Sequence, residues 1–325
     1  MFTTTVNALP NLDIHLLGAS YFSFGQSPLN LSRRQPIAIL AYLLLAEGAV
    51  SRDRLAFLLW PDEAQPVARN RLRMTLFQLR ESLTPANAAD LIVTAGDAVS
   101  LDLVRVHCDV REFLKLTEQC LQNQAHQDYS HSALARAEEA NRLYRGEFME
   151  GFALQSAVQQ SAVQQSSVQA SGVEFEHWML QQRQRLERIH RRLLTVLVEG
   201  HAAHSGWSEA IRYGEQLAAI DPLDESNHRS LLQLYSASGQ RHALVEHFER
   251  MRGLLKEELG VEPLPETVEL YQSLVARSGT RPANRSLKQN EAPKQAWRLR
   301  TTISLPMIGR DAELAQISAW LNEAM

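Results

Sequence analysis

The sequence predicts a mainly α-helical protein with a small β component near its N-terminus. Short apolar runs interrupted by glycine, which are typical of strands, occur before residue 109. From Asp109 onward, apolar residues recur at helical spacing in successive segments. With 325 residues, of which 45% are hydrophobic, the chain is long and apolar enough for two or more domains.

The first 108 residues predict strands, then three helices, then a hairpin. Apolar runs, glycines and a serine N-cap at Ser51 place these elements at Leu12–Leu17, Ser20–Phe24, Pro36–Ala46, Arg52–Trp60, 66–83, Leu91–Thr94 and Ala98–Leu101. Gly96-Asp97 is a suitable turn for the hairpin. This order predicts a winged helix over residues 1–108, in which the third helix reads DNA and the hairpin forms the wing.

The third helix is strongly amphipathic. One face carries an apolar stripe that we expect to be buried, formed by Ala68, Leu72, Leu76, Leu79 and Leu83. The opposite face and its flanks carry long polar and exposed apolar side chains, which are the candidate DNA-binding residues: Arg69, Asn70, Arg71, Arg73, Met74, Phe77, Gln78 and Arg80. Arginine and glutamine can read base edges in the major groove, and flanking arginines can contact phosphates. The alternative is an ordinary solvent-exposed helix whose arginines have no ligand.

Three short motifs in this region resemble a known family. Leu59-Trp60-Pro61-Asp62, Ala68-Arg69-Asn70 and the stretch from Gln78 to Leu83 are similar to the DNA-binding domain of the Streptomyces antibiotic regulatory proteins. The resemblance covers Leu12 to Asp109 and implies a winged-helix fold and double-stranded DNA as a partner. The family usually has a basic residue where Gln78 or Glu81 stands, so its base preference does not transfer to this chain.

Formal charge predicts modest affinity for DNA. The whole chain carries a net charge of -4, and residues 1–105 hold nine arginines and nine acidic residues. The arginines are nevertheless concentrated in the third helix and around residues 33–34 and 52–54. We therefore expect one copy to bind a half-site weakly, and useful affinity to need a homodimer or tandem copies.

The region from 109 to 277 predicts an α-helical tetratricopeptide-like domain. Helical periods cover Asp109–Gln122, His131–Tyr144, Phe175–Ala203, Ser208–Ala219, Glu225–Ser236, Gln240–Glu258 and Pro265–Ala276. Gly206 and Ala210 match Gly239 and Ala243 at a spacing of 33 residues, close to the period of ~34 of these repeats. We expect the glycines to form the turns, the alanines to allow close helix contact, and a core from Trp207, Ile211, Leu217, Leu231, Leu232, Tyr235, Leu244 and Phe248.

The same region resembles the bacterial transcriptional activator domain, which follows the winged helix in those regulators. Three segments carry this resemblance: Tyr144–Phe148, Ala219–Glu225 and Leu254–Pro263. It implies a transcriptional activator whose helical repeats contact RNA polymerase or a regulatory domain.

Two further segments stand apart from these domains. Ser-x-Val pentads repeat between Ser156 and Phe175, and they predict either a partner-binding segment or, more simply, an expanded surface loop at 154–173. Residues 278–304 have the composition of a linker. The final stretch 305–325, from Leu305 onward, resembles the start of a signal-transduction ATPase domain but ends before any phosphate-binding loop, which predicts that the natural protein is longer.

Enzymatic readings have little support in the sequence. Cys108 and Cys120 are best explained as small buried side chains in a reducing compartment, and His201 with His204 lacks companion ligands for a metal. We expect no catalytic residues, no metal, no cofactor and no membrane contact, in a cytoplasmic protein. The competing function is a helical-repeat interaction adaptor that has lost productive DNA binding.

Overall fold

The structure is a computed structural model that describes residues 12–25, 27–31, 33–84, 88–125, 129–154 and 172–279. It confirms the predicted fold class, with a small N-terminal β region, a winged helix and a helical repeat region. The chain divides into two compact units between Asn227 and His228, in the first turn of a helix. Each unit is described by itself below. Among the described residues, no helix is both long and apolar enough to cross a membrane.

The strands form two small sheets. They span Leu12–His15 (β1), Tyr21–Phe24 (β2), Ser27–Pro28 (β3), Val50–Ser51 (β4), Ile92–Ala95 (β5), Ala98–Leu101 (β6) and Val106–Cys108 (β7). The first sheet has the order β3-β2-β1-β7, in which β7 runs parallel to β1 with Leu12 opposite Val106. The second sheet, in the order β4-β6-β5, contains the predicted hairpin, and β4 adds a third strand to that wing.

The helices agree closely with the sequence expectations. They span Arg34–Leu45 (α1), Arg52–Leu59 (α2), Gln65–Leu83 (α3), Asp109–Ala125 (α4), His131–Leu143 (α5), Val173–Ala203 (α6), Trp207–Ile220 (α7), Glu225–Ala237 (α8), Arg241–Leu259 (α9) and Pro265–Gly279 (α10). Ser51 caps α2, since its hydroxyl accepts from the backbone N–H of Arg54. The predicted linker begins inside a helix, because Ser278 and Gly279 are the last residues of α10.

The winged helix and the first helices of the repeat region share the first unit. Helix α4 follows β7 directly, and the buried carboxylate of Asp109 accepts hydrogen bonds from the backbone N–H groups of Leu16 and Leu17. The segment after α5 returns to the first sheet, where β-bridges join Leu17 to Phe148 and Ala19 to Glu150. These backbone contacts join the winged helix to the part of the helical region that lies in the first unit.

The alignment of the two repeats at 33 residues is wrong by one position. The left-handed residue of the first turn is Ser205 (φ 59°), whereas Gly206 has φ -77°. The second turn has its left-handed residue at Gly239 (φ 76°). Matching hydrogen bonds, from Gly206 N to His201 O and from Gln240 N to Tyr235 O, both 2.8 Å, give a spacing of 240 − 206 = 34 residues.

Close backbone approach explains why a glycine stands at 206 without a positive φ. A Cβ on Gly206 would lie 3.3 Å from the carbonyl oxygen of His201. In the corrected register, Ala210 matches Leu244, and both are fully buried, while Ala243 is only half-buried. The pairing of Ala210 with Ala243 as equivalent positions of the two repeats is therefore wrong.

The second unit has a small core between α8, α9 and α10. His228 and His247 are hydrogen-bonded at 2.9 Å, the rings of Phe248 and Tyr271 stack at 3.9 Å, and Arg229 donates to Thr267. Most predicted core residues are buried: Ile211 in the first unit and Leu231, Leu232, Tyr235, Leu244 and Phe248 in the second. Trp207 and Leu217 are only half-buried.

Some predictions fall on residues outside the described ranges. The pentads between 155 and 171, the linker from 280 to 304 and the ATPase-like opening at 305–325 are among them. The last pentad does enter the described part, because Val173 starts α6. Cys108 and Cys120 are both buried thiols, as predicted.

Candidate nucleic-acid interface

Helix α3 presents one face to the core and one face to solvent. Its buried residues are Ala68, Leu72, Thr75, Leu76, Leu79 and Leu83, and they pack on α1, α2 and the short 3₁₀ segment Ala89–Leu91. The outward face is exposed at Asn70, Arg73, Met74, Phe77 and Glu81, while Gln78 is half-buried. The helix therefore has the free outward face that a groove-reading helix needs.

Arg69 is held by two carboxylates at the edge of this face. Its Nη2 lies 2.7 Å from Oδ2 of Asp53, in the first turn of α2, and its Nε bonds the other oxygen of that carboxylate. The second carboxylate belongs to Asp97 in the wing turn, whose Oδ1 lies 3.4 Å from the same Nη2 of Arg69. The hydrogen bond from Arg69 lowers the pKa of Asp53, and the same bond raises the pKa of the guanidinium. This clasp ties α2, α3 and the wing together.

Arg71 and Arg80 also have partners within the fold. Arg71 forms an ion pair with Glu63 at 2.6 Å, and the Glu63 side chain is only 11% exposed. Arg80 is half-buried and donates from Nη2 to the carbonyl oxygen of Ile92 at 3.0 Å and to Thr94 Oγ1 at 3.3 Å. Arg80 therefore attaches the helix to strand β5 of the wing.

Arg73 differs from the other three arginines of α3. Within the described residues, Nη2 of Arg73 donates a hydrogen bond of 2.8 Å to Oδ1 of Asn70, a neighbour on the same helix. Both side chains are exposed. The structure thus brings Arg73 and Asn70 together with Met74 and Phe77 on the outward face, and places Arg69, Arg71 and Arg80 at its margins.

Sequence patterns did not predict which acidic residues would lie beside these arginines. Asp53 entered the prediction as a negative charge in a formal sum and Asp97 as a turn residue of the hairpin, although both lie beside Arg69. Two further exposed side chains lie on the wing and on α2. They are Val93 on strand β5 and Arg54 on α2, whose Nε lies 3.4 Å from Tyr42 Oη. Only the pattern Arg52-Asp53-Arg54 at a helix start could have drawn attention to α2.

Other candidate chemistry in the described part of the chain is sparse. No group of three or more His, Cys, Asp or Glu there is arranged to hold a metal ion. His201 Nε2 lies 3.1 Å from a carboxylate oxygen of Glu138, and His204 Nε2 lies 2.6 Å from the carbonyl oxygen of Tyr129. A cleft of about 900 Å³ between the end of α1, β7 and α4 is lined by mixed side chains, including His107, Arg111 and Lys115.

Comparison with known proteins identifies the family. Residues 108–275, just over half of the chain, match the model of the bacterial transcriptional activator domain. The chain belongs to this family of bacterial transcriptional regulators. Its winged helix followed by the activator domain is the organisation of the Streptomyces antibiotic regulatory protein type, which the sequence motifs predicted.

Two curated relatives agree with this assignment. The transcriptional regulatory protein MoaR1 of Mycobacterium tuberculosis is 24% identical over 275 residues, which cover 83% of this chain and 78% of the relative. The protein of the same name from Mycobacterium bovis is 26% identical over the same length and coverage. These matches extend beyond the activator domain and include most of the chain.

A solved structure supports the fold. Mycobacterium tuberculosis EmbR, determined in complex with a low-affinity phosphopeptide, superposes with a TM-score of 0.58 at 19% identity. The match covers 82% of this chain and 66% of EmbR. At this identity the likeness concerns the fold alone.

The activator-domain motif at Tyr144–Phe148 has a clear structural role in this family member. A Cβ on Gly146 would lie 3.0 Å from the Cα of Gly18, so only glycine allows this approach to the first sheet. The backbone N–H of Gly18 donates to the carbonyl oxygen of Glu147 at 2.9 Å. The motif therefore joins the activator domain to the winged helix.

Proposed function

We propose that this regulator is a sequence-specific DNA-binding transcriptional activator that reads the major groove with helix α3. The observation that carries the proposal is the outward face of α3, where Asn70, Arg73, Met74 and Phe77 are exposed. These side chains are not needed for packing of the winged helix. A long polar and apolar face of this kind, beside a β-hairpin wing, suits insertion into the groove of double-stranded DNA.

The contacts of each arginine support different roles. Arg73, Asn70 and Gln78 would meet base edges. Within the described residues Arg73 donates to Asn70 and is not held by a carboxylate, so its guanidinium can turn to a base. Arg69, Arg71 and Arg80 would meet flanking phosphates. Since Arg69 and Arg71 already pair with acids, we expect each to add less to the salt dependence of binding than a free arginine would.

The helical repeats are proposed to contact RNA polymerase. Repeat domains of this type expose extended surfaces for protein partners. A homodimer on direct repeats would supply the avidity that a nearly neutral winged helix needs. If the natural protein continues into an ATPase domain after the ATPase-like opening at 305–325, that domain would be a further partner and a restraint on activation.

Recovery of bound DNA tests the proposal directly. The chain would be mixed with genomic fragments, and the bound fragments sequenced for an enriched site. Arg73→Ala should then weaken binding to that site by about 1–3 kcal/mol and relax one base position, while Arg188→Ala, an exposed arginine on α6, should leave it unchanged. Equal loss of specific and non-specific binding in Arg73→Ala would contradict its role as a base reader.

Activation is tested by a reporter driven by the recovered site. The chain should raise expression above the level without regulator, and Arg73→Ala should abolish the increase. A chain that binds the site but never raises expression would show that activation lies elsewhere in the natural protein.

A protein-interaction adaptor is the second candidate function. The observation in its favour is that Arg69 and Arg71, half of the arginines on α3, have carboxylate partners within the fold. An adaptor would show no enriched DNA site, and its binding to random DNA would be as weak for wild type as for Arg73→Ala. An enriched site excludes this alternative.

A further inference from the structure

The outward face of α3 contains two neighbouring apolar side chains that are exposed to solvent. Phe77 is 58% exposed and Met74 is 49% exposed. They lie three residues apart, so they occupy neighbouring turns on one side of the helix. About half of each side chain stays in contact with solvent, so the fold leaves apolar surface at both positions that a ligand could bury.

Hydrogen-bonding capacity on this helix is partly used within the protein. Arg69 is held by Asp53 and Asp97, Arg71 by Glu63, and Arg80 by the wing. Arg73 shares a bond with Asn70. Beside these partly engaged donors, Met74 and Phe77 offer a ligand an exposed apolar surface on α3.

In the major groove, the C5-methyl of thymine is the one apolar group among the base edges. Met74 and Phe77 are separated by about 4.5 Å along the helix axis, which is close to the rise of about 3.4 Å between base pairs. A helix lying along the groove could therefore place the two side chains against methyls on neighbouring base pairs. Removal of one buried methyl is expected to weaken binding about fourfold.

We infer that Met74 and Phe77 recognise thymine methyl groups and make thymine a required base in the half-site. The inference rests on the proposed DNA-binding function and names its specificity. Two cations of α3 favour DNA over a protein as the occupant of this face. Arg73 and Arg80 donate to neutral oxygens of Asn70, Ile92 and Thr94, so their charge remains available to a phosphate, whereas Arg69 and Arg71 pair with carboxylates. Glu81 is the acidic residue of α3.

The test replaces thymine by deoxyuridine in the recovered site, which removes only the methyl. Each substitution would be made at one position, and binding measured for wild type and for Met74→Ala, Phe77→Ala and the double variant. Leu180→Ala, an apolar side chain on α6 that is 52% exposed, is the matched control. Melting curves show that each variant is folded.

Wild type and Leu180→Ala should bind about fourfold more weakly at one or two deoxyuridine positions. Met74→Ala and Phe77→Ala should each lose sensitivity at one of these positions, and the double variant at both. Wild-type binding that is indifferent to every deoxyuridine overturns the inference while leaving DNA binding intact, as does an enriched site without thymine. Failure to enrich any site overturns the proposed function and the inference with it.

Discussion

Asp109 accepts hydrogen bonds from the backbone N–H of Leu16 through both carboxylate oxygens, at 2.9 and 3.0 Å. The same carboxylate accepts from Leu17 and Val110, and its side chain is fully buried. Asp109 begins α4, whereas Leu16 follows the first strand. One side chain therefore fastens the start of the activator domain to the sheet of the winged helix.

Replacement of Asp109 by alanine should destabilise the protein by about 3 kcal/mol. The change leaves buried backbone N–H groups without an acceptor, and hydrogen bonds to a charged group are among the stronger ones. Urea unfolding followed by circular dichroism measures the loss. Asp62→Ala, at an exposed position, should change stability little, and an equal effect of both variants would contradict this role of Asp109.

Asp97→Asn should strengthen DNA binding by up to about fivefold at low salt. The change removes from the wing turn a negative charge that repels phosphates, and it leaves Arg69 with a single carboxylate partner, so that this guanidinium attracts phosphates more strongly. Affinity for a short duplex at two salt concentrations measures the effect, which should shrink at high salt. Glu209→Gln, at an exposed site on α7, is the control; the same gain in both variants would reduce the effect to net charge.

His190 should make the protein less stable as the pH falls from about 6.5 to about 4. Burial lowers the pKa of this histidine from 6.5 to about 4. Its ring stacks on Tyr144 at 3.9 Å, and its Nε2 lies 2.9 Å from Oδ1 of Asn141. Between these two pH values the histidine is protonated in the unfolded chain but neutral in the folded protein. Its contribution to the free energy of unfolding is therefore fully present above pH 6.5 and is lost as the pH falls to about 4.

The free energy of unfolding should fall by about 3 kcal/mol through His190 when the pH reaches the lower end of this range. Unfolding free energies measured at pH 7, 6 and 5 would show the decline, and His190→Phe should flatten it. His242→Gln, at an exposed position, should leave the slope unchanged. A slope that survives in His190→Phe would assign the proton uptake to other groups, among them His247, whose pKa burial also lowers to about 4.

Two glycines of the second unit should respond in opposite directions to the same change. Gly239 has φ 76°, so Gly239→Ala forces a side chain into the left-handed region and should cost about 1 kcal/mol. Gly253 lies within α9, and a Cβ there would meet nothing within 4 Å. Gly253→Ala should therefore stabilise the helix by about 0.5–1 kcal/mol. Melting temperatures measure both changes, and equal shifts would contradict the assigned turn.

Sequence alone determined the features that repeat over short distances. The period of apolar residues in α3 predicted the buried stripe from Ala68 to Leu83, and Ser51 marked the start of α2. The motif at Tyr144–Phe148 indicated the family. Such signals are readable because each depends on neighbouring residues, within a turn of helix or a few strand positions.

Tertiary structure decided the relationships between distant residues. The parallel pairing of β7 with β1, the fastening of Leu16 by Asp109 and the clasp of Arg69 by Asp53 and Asp97 join segments with no shared local pattern. Local periodicity can be recognised from neighbouring residues in the sequence. These contacts, in contrast, form only when packing brings separated segments within hydrogen-bonding distance, so the spacing of residues along the chain does not predict them.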